Sequence, residues 1–209
     1  MYILFDVGGT NLRIATSTNL KKLDNFKIVK TPKNYNQALE IFREHADEKV
    51  KGVAGGLPCT FKNSKKQIAI CPNLPKWNNK NIYNDLSKIF KTKNIKLEND
   101  AALAGLGEAV HGAGKKYKII SYLTLSTGIG GAKIVDKKLV ENYLGYEPGF
   151  QIIDFKNKQQ LIAGSDLNKI KKPDWEDINN RLAAGIYNSI IFWSPEVVVL
   201  GGGMLKNEN

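Results

Sequence analysis

The sequence predicts an α/β protein organised as two lobes of like topology. Three observations carry that reading. Strand-like apolar runs alternate with segments of helical spacing along the chain. Two stretches, "YILFDVGGTNLRIATS" and "SYLTLSTGIGGAKIVD", share one plan of apolar strand, polar residue, double glycine and second apolar strand. Two carboxylates, Asp6 and Asp100, fall at the carboxyl ends of predicted strands, where open α/β sheets place their ligands. One copy of the repeated unit opens each half, so the boundary is placed at Asn99, giving lobes 1–99 and 100–209 with a ligand cleft between the glycine turns.

Each element follows from local pattern. "MYILFDVGG" reads as a buried strand, followed after the turn by "LRIATST" and "FKIVKTP" as further strands. "NYNQALEIFREHA" puts Tyr35, Leu39, Phe42 and Ala46 on one helical face. "VKGVAGGLP" is a strand running into another glycine turn, and Thr60 to Lys80, with Pro72 and Pro75, reads as loop. "NIYNDLSKIF" returns to helix through Ile82, Leu86, Ile89 and Phe90, "IKLEND" is a short strand, and "AALAGLGEAVHG" is a small-residue helix. In the second half "YKIISYLTLS", "AKIVDKKLV" and "EVVVL" are strands, with "TGIGG" the turn between the first two. "AGSDLNKI" is a short helix, and a longer one places Ile178, Leu182, Ile186, Ser189 and Trp193 at helical spacing.

Bulk properties exclude several classes. With 42% hydrophobic and 24% charged residues in 209, the chain has the make-up of an ordinary globular protein. No apolar run approaches the roughly 20 residues of a membrane span, and Asp6 interrupts the N-terminal one, so neither a membrane nor a signal peptide is expected. The net charge of +11 is spread along the chain without a recognition motif, which reads as a solvated basic surface rather than a nucleic-acid binder. Cys59, Cys71, His45 and His111 lack metal-ligand spacing, and two free thiols in a reducing cytoplasm are the simple reading, with a disulfide between the cysteines a weakly motivated alternative.

The chemistry-bearing residues are ambiguous one at a time. Glycine turns expose successive backbone N–H groups that can bind phosphate, and they equally make plain hairpins. "DVGGTN" adds donors from Thr10 and Asn11, and "STGIGG" adds Ser126 and Thr127. Asp6 would repel a phosphate directly but suits a divalent cation, through water, because Mg²⁺ retains several waters. Asp100 fits a helix N-cap or a proton acceptor. Asn73, between two prolines with Trp77 nearby, fits a turn or a carbohydrate contact, and Glu147 in "GYEPGF" fits a solvated loop or a ligand.

Taken in order, "DVGGTN", "GVAGGLP", "CPNLPKW", "LENDAALAGLGE", "YLTLSTGIGGAKI", "GYEPGF" and "SPEVVVLGGG" resemble the successive signatures of ROK-family sugar kinases, glucokinase-like members of the actin/hexokinase/Hsp70 ATPase superfamily. The resemblance runs from Tyr2 to about Met204. It implies two ribonuclease H-like lobes and phosphorylation of a hexose, glucose foremost, at its 6-hydroxyl by ATP, in glycolytic carbohydrate metabolism. Asp6 would position Mg²⁺, with Gly8, Gly9, Thr10 and Asn11 as the first phosphate loop. Ser126, Thr127, Gly128, Gly130 and Gly131 would form the second, and Gly201 and Gly202 would approach the adenosine. Asn73, Asn99, Asp100 and Glu147 match sugar-contacting positions, Asp100 being the general base. The resemblance also implies a cytoplasmic protein and suggests a homodimer.

Three departures qualify it. The family's "GH" after the loop glutamate is matched by Phe150, and its cysteine cluster is absent, so no zinc is expected. A further family glutamate aligns with Gln159. Relatives continue past the point matching "GGGMLKNEN", leaving either a compact second lobe or one short of its C-terminal helices. A kinase of an N-acetylated amino sugar, a sugar-binding regulator or a decayed kinase are the alternatives. Against a repressor, "DVGG" begins too early for a helix-turn-helix to precede it.

Overall fold

Strand β1 (Tyr2–Val7) sends Ile3, Phe5 and Val7 into an apolar interior, and the chain turns back at once into antiparallel β2 (Asn11–Ser17). β3 (Asp24–Lys30) pairs antiparallel with β2 through a bulge between Ile14 and Thr16. The structure is a computed structural model and describes residues 1–47, 49–143 and 145–206. Helix α1 (Tyr35–Arg43) starts from Asn34, whose side chain accepts the Asn36 N–H, and buries Tyr35, Ala38, Leu39 and Phe42. β4 (Gly52–Leu57) lies parallel to β1, and Gly55 there is obligatory because a Cβ would stand 2.2 Å from the Phe5 ring.

The segment expected as loop holds a small hairpin, β5 (Phe61–Lys62) with β6 (Gln67–Ile68), then a single 3₁₀ turn at Pro75–Trp77. The hairpin brings Cys59 and Cys71 together, with Cα atoms 4.2 Å apart, and they form a disulfide. This corrects the expectation of free thiols: twelve residues of separation look uninformative in sequence, but the turn at 63–66 folds them back on each other. Helix α2 (Ile82–Phe90) buries Ile82, Leu86 and Phe90, and β7 (Ile95–Asn99) completes a five-stranded sheet ordered β3-β2-β1-β4-β7. Strands β1, β4 and β7, on one side of that sheet, are mutually parallel, so they end at one edge.

The chain divides into two units, Met1–Asp100 and Ala101–Asn209. Helix α3 (Asp100–Val110) spans the division and leads to β8 (Ile119–Leu125) and antiparallel β9 (Ile129–Val135). The short β10 (Lys138–Leu139) pairs with β9. Helices α4 (Gly164–Leu167) and α5 (Trp175–Trp193) follow, and β11 (Val197–Gly201) pairs parallel with β8 to close a sheet ordered β10-β9-β8-β11. Of the residues expected on the buried face of α5, Ile178 and Ser189 are buried, while Leu182, Ile186 and Trp193 are only partly so. Among the described residues no helix is long and apolar enough to cross a membrane.

Candidate active site

In the first unit the turn between β1 and β2 has a defined polarity. Gly8 N–H donates to the Asn11 carbonyl at 2.8 Å, closing the turn. The Thr31 hydroxyl donates to the Gly8 carbonyl at 2.7 Å, and the Lys33 ammonium donates to the Gly9 carbonyl at 3.1 Å. A trans peptide holds each C=O antiparallel to the next residue's N–H. With the Gly8 and Gly9 carbonyls turned toward the Thr31–Lys33 segment, the N–H groups of Gly9 and Thr10 must therefore point the other way. Among the described residues neither amide donates a hydrogen bond. Two adjacent amides on one face of a turn, without a hydrogen bond among the described residues, are the kind of donor pair that can receive an anion.

The sheet edge gathers the remaining first-unit candidates. Register matches Asp6 to Gly56 and Gly56 to Glu98, so Asp6 and the Asn99–Asp100 pair lie at the ends of strands two places apart, roughly 10 Å across the sheet. Asp6 Oδ2 accepts from Arg13 at 2.8 Å, with both side chains nearly half exposed. Asn99 donates from Nδ2 to the Cys59 carbonyl at 3.4 Å, which ties β7 to the disulfide segment. Asp100 is partly buried as the first residue of α3, the position of either an N-terminal capping acid or a base. Asn73 lies against Gly9, where an added Cβ would stand 3.3 Å from the Asn73 Cβ, a tight contact that glycine relieves. The described residues contain no group of three or more potential metal-ligating acids, cysteines or histidines.

The second unit builds a related turn, one residue shorter between its paired strands, with other parts. Ser126 N–H donates to the Gly128 carbonyl at 3.0 Å. The Ser126 carbonyl accepts the Gly164 N–H at 2.8 Å, and the Thr127 carbonyl accepts the Ser165 N–H at 3.1 Å. By the same geometry the N–H groups of Thr127 and Gly128 face away from α4, and among the described residues neither is used. The turn is confined to Ser126, Thr127 and Gly128. Gly130 and Gly131, expected in the loop, instead sit inside β9 opposite Thr124 and Leu123. They lack side chains for packing reasons: a Cβ at Gly130 would meet Ala101 at 2.9 Å, and one at Gly131 would meet Trp193 at 2.9 Å and Pro148 at 3.0 Å.

Glu147 is exposed, immediately before a 3₁₀ turn at Pro148–Phe150. Gly131 N–H holds this loop through the Tyr146 carbonyl at 3.2 Å. Phe150 is 63% exposed, and Gln159 pairs back on Asp154 through its main chain. Gly201 and Gly202 lie at the end of β11, the edge that also carries the Ser126 turn. Each has a local reason to be glycine, since a Cβ would meet the Tyr122 hydroxyl at 2.5 Å and the Leu125 carbonyl at 2.2 Å respectively, and Gly202 also has φ +110°.

Sequence reasoning missed Arg13, Thr31, Lys33, Gly164 and Ser165 as parts of these turns. Arg13 had a signal, because it stands symmetrically opposite Asp6 about the glycine turn once the hairpin is drawn. The others had none, because their positions depend on how a later segment returns to the turn.

A five-stranded mixed sheet, a second sheet opening on the same hairpin, and two matching turns with exposed amides define a protein of the actin/hexokinase-type ATPase fold. Residues 2–157 match the ROK family, and the chain belongs to it. It is 34% identical over 148 residues to the N-acetyl-D-glucosamine kinase of Mannheimia succiniciproducens, covering 68% of this chain and 48% of that one. The chain spans about half the length of the N-acetyl-D-glucosamine kinases it matches. Two solved structures share the fold. A ROK family protein from Streptococcus pneumoniae in complex with sucrose has TM-score 0.80 at 23% identity, over 99% of this chain and 82% of that one. A ROK family glucokinase from Streptomyces griseus in complex with glucose and AMPPNP has TM-score 0.78 at 18% identity, over 97% and 83%.

Proposed function

We propose that this chain is an ATP-dependent sugar kinase that transfers the γ-phosphoryl group to a hydroxyl of a hexose or N-acetylhexosamine. The observation that carries the reading is the duplicated turn, with two carbonyls tied back and two successive amides left exposed in each unit. Such amides stabilise phosphate oxygens without adding a proton or a nucleophile, which is what phosphoryl transfer asks of a protein. Gly9, Thr10 and Asn11 in the first unit, and Ser126, Thr127 and Gly128 in the second, are the proposed phosphate-binding residues. Gly201 and Gly202 are proposed beside the adenosine.

Asp6 fits a Mg²⁺ held through water, because Arg13 takes one carboxylate oxygen and Oδ1 has no hydrogen-bond partner among the described residues. When bound, the ion supplies charge neutralisation at the phosphates. Asn73, Asn99 and Glu147 are proposed to orient the sugar, and Asp100 to accept the proton of the attacking hydroxyl. N-acetyl-D-glucosamine is the first substrate to try, since the 34%-identical relative is a kinase of that sugar, and glucose is the second. A cytoplasmic setting is part of this proposal, supported by its dependence on ATP and opposed by the Cys59–Cys71 disulfide, a bond rare in that compartment.

The test is ADP release with Mg²⁺ and ATP across N-acetyl-D-glucosamine, N-acetylmannosamine, glucose, mannose and fructose. Sugar-dependent release is expected with at least one of them. Asp100→Asn is expected to lower kcat by about 10²–10⁴ while Mg·AMPPNP still binds. Full activity in that variant would remove Asp100 from the role.

A further inference from the structure

The Lys33 ammonium makes two contacts that no phosphate or sugar motif explains. It donates to the Gly9 carbonyl at 3.1 Å and to the Asn73 carbonyl at 3.3 Å. These carbonyls belong to the phosphate turn and to the loop proposed to hold the sugar, and forty residues of chain separate Lys33 from Asn73. Lys33 itself comes from neither: it follows β3, on a segment tied to the turn by Thr31 and to the interior by Trp77, whose indole N–H donates to the Pro32 carbonyl at 3.2 Å. The two residues before Lys33 are therefore held, and Asn34 after it caps α1 by accepting the Asn36 N–H, so the backbone that carries the exposed lysine is fixed on both sides.

We propose that Lys33 is a positioning residue for phosphoryl transfer, acting through the Gly9–Thr10 peptide and the Asn73 loop. This inference rests on the sugar-kinase reading. A cation on the Gly9 oxygen polarises the peptide whose opposite end is the exposed Thr10 N–H, making that amide a stronger donor toward a phosphate oxygen. The same cation holds the Asn73 main chain, so that the side chain seated on Gly9 keeps its distance from the turn. Lys33 thus sets both the strength of the anion site and the separation of the two reacting groups. Reactant spacing of this kind governs rate more than binding.

Lys33→Met and Lys33→Arg test it. With the best sugar of the panel, Lys33→Met is expected to lower kcat about tenfold, the size of one charge-assisted hydrogen bond, with less than about twofold change in sugar KM. Mg·AMPPNP is expected to bind it several-fold more weakly. Lys33→Arg, which keeps the charge, is expected to recover most of both. Wild-type kcat and AMPPNP affinity in Lys33→Met overturn the proposal and leave the kinase reading standing. A loss in Lys33→Met matched by a drop in urea midpoint, and not recovered by arginine, also overturns it by making the residue merely structural. A wild-type protein that neither binds AMPPNP nor turns over any sugar removes the kinase reading, and this inference with it.

Discussion

The two units make related glycine turns, the second one residue shorter, in different materials. In Met1–Asp100 the Gly8 and Gly9 carbonyls are held by side chains, the Thr31 hydroxyl and the Lys33 ammonium, and only the Thr10 carbonyl by a main-chain amide, that of Thr31, whereas in Ala101–Asn209 main-chain amides of Gly164 and Ser165 hold the Ser126 and Thr127 carbonyls. A side-chain tie is open to substitution and carries charge, while a main-chain tie is fixed by the path of the chain. The interiors differ in the same sense. The first unit has one continuous core containing the fully buried Trp77, Phe42 and Phe90, and that core backs the Thr31–Lys33 segment. The second has two smaller clusters, one around Tyr122 and Ile134 and one around Leu125 and Leu161, and α5 leaves Tyr187, Ile191 and Phe192 exposed. A charged, adjustable tie sits on the firmer platform, where packing can hold it in register.

Truncating the platform is expected to have the largest effect. Trp77 packs edge-on against Tyr35 with ring centres 5.3 Å apart and anchors Pro32 by its indole N–H. Trp77→Ala should cost about 3–5 kcal/mol in urea unfolding and expose the β1 and β4 amides to hydrogen exchange. Trp193 is the corresponding tryptophan of the second unit, edge-on to Tyr146 at 4.7 Å but only partly buried. Its replacement by alanine should cost about 1–2 kcal/mol. Equal losses at the two tryptophans would erase the contrast between the interiors.

The disulfide sharpens the comparison next. Cys59–Cys71 closes a small loop in the first unit, both residues are buried, and the second unit has no cysteine. Reduction, or paired replacement by serine, is expected to lower stability by about 2–4 kcal/mol and to act on the first unit alone. Melting with and without reductant, with thiol labelling mapped by mass spectrometry, reads both the size and the place. Unchanged melting after confirmed reduction would show that the β5–β6 hairpin holds the loop without the bond.

Much of this was legible in the sequence, and the illegible part has a common cause. The α/β alternation, the five-residue apolar runs and the duplicated hairpin depend on local period, and the sheets follow them. Asp6, Asp100 and the two turns stand out because strand ends and glycines are local signals. Lys33 and Ser165 carry no such signal, since each matters only through a contact set by tertiary path. Gly130 and Gly131 were misplaced for the related reason that a glycine needed for a turn and a glycine needed under Trp193 or Ala101 look the same in sequence. The disulfide is the weaker of two readings in sequence because Cys spacing says nothing about a hairpin not yet recognised. The loops proposed to hold the sugar stand out in sequence only through ordered motifs, not through any one residue.

The smallest expected effect separates the two buried phenols. The Tyr35 hydroxyl donates to Asp85 Oδ2 at 2.8 Å, and burial together with the neighbouring carboxylate raises its pKa well above the ordinary value of 10.0. Tyr146 is raised as well, by burial alone. A tyrosine that keeps its proton when folded but loses it near pH 10 when unfolded stabilises the fold fully below about pH 10, and that stability is lost as the pH climbs toward the folded value. Tyr35→Phe removes the hydrogen bond, so it should cost about 1 kcal/mol at neutral pH. It should also flatten the alkaline fall in stability, because phenylalanine has no proton to hold. Tyr146→Phe should flatten the alkaline limb in the same direction but less, because no carboxylate adds to the effect of burial there. Urea midpoints followed from pH 7 to 11 decide it: equal alkaline slopes for wild type and Tyr35→Phe would mean that the Tyr35–Asp85 pair contributes nothing to the firmness of the first unit's core.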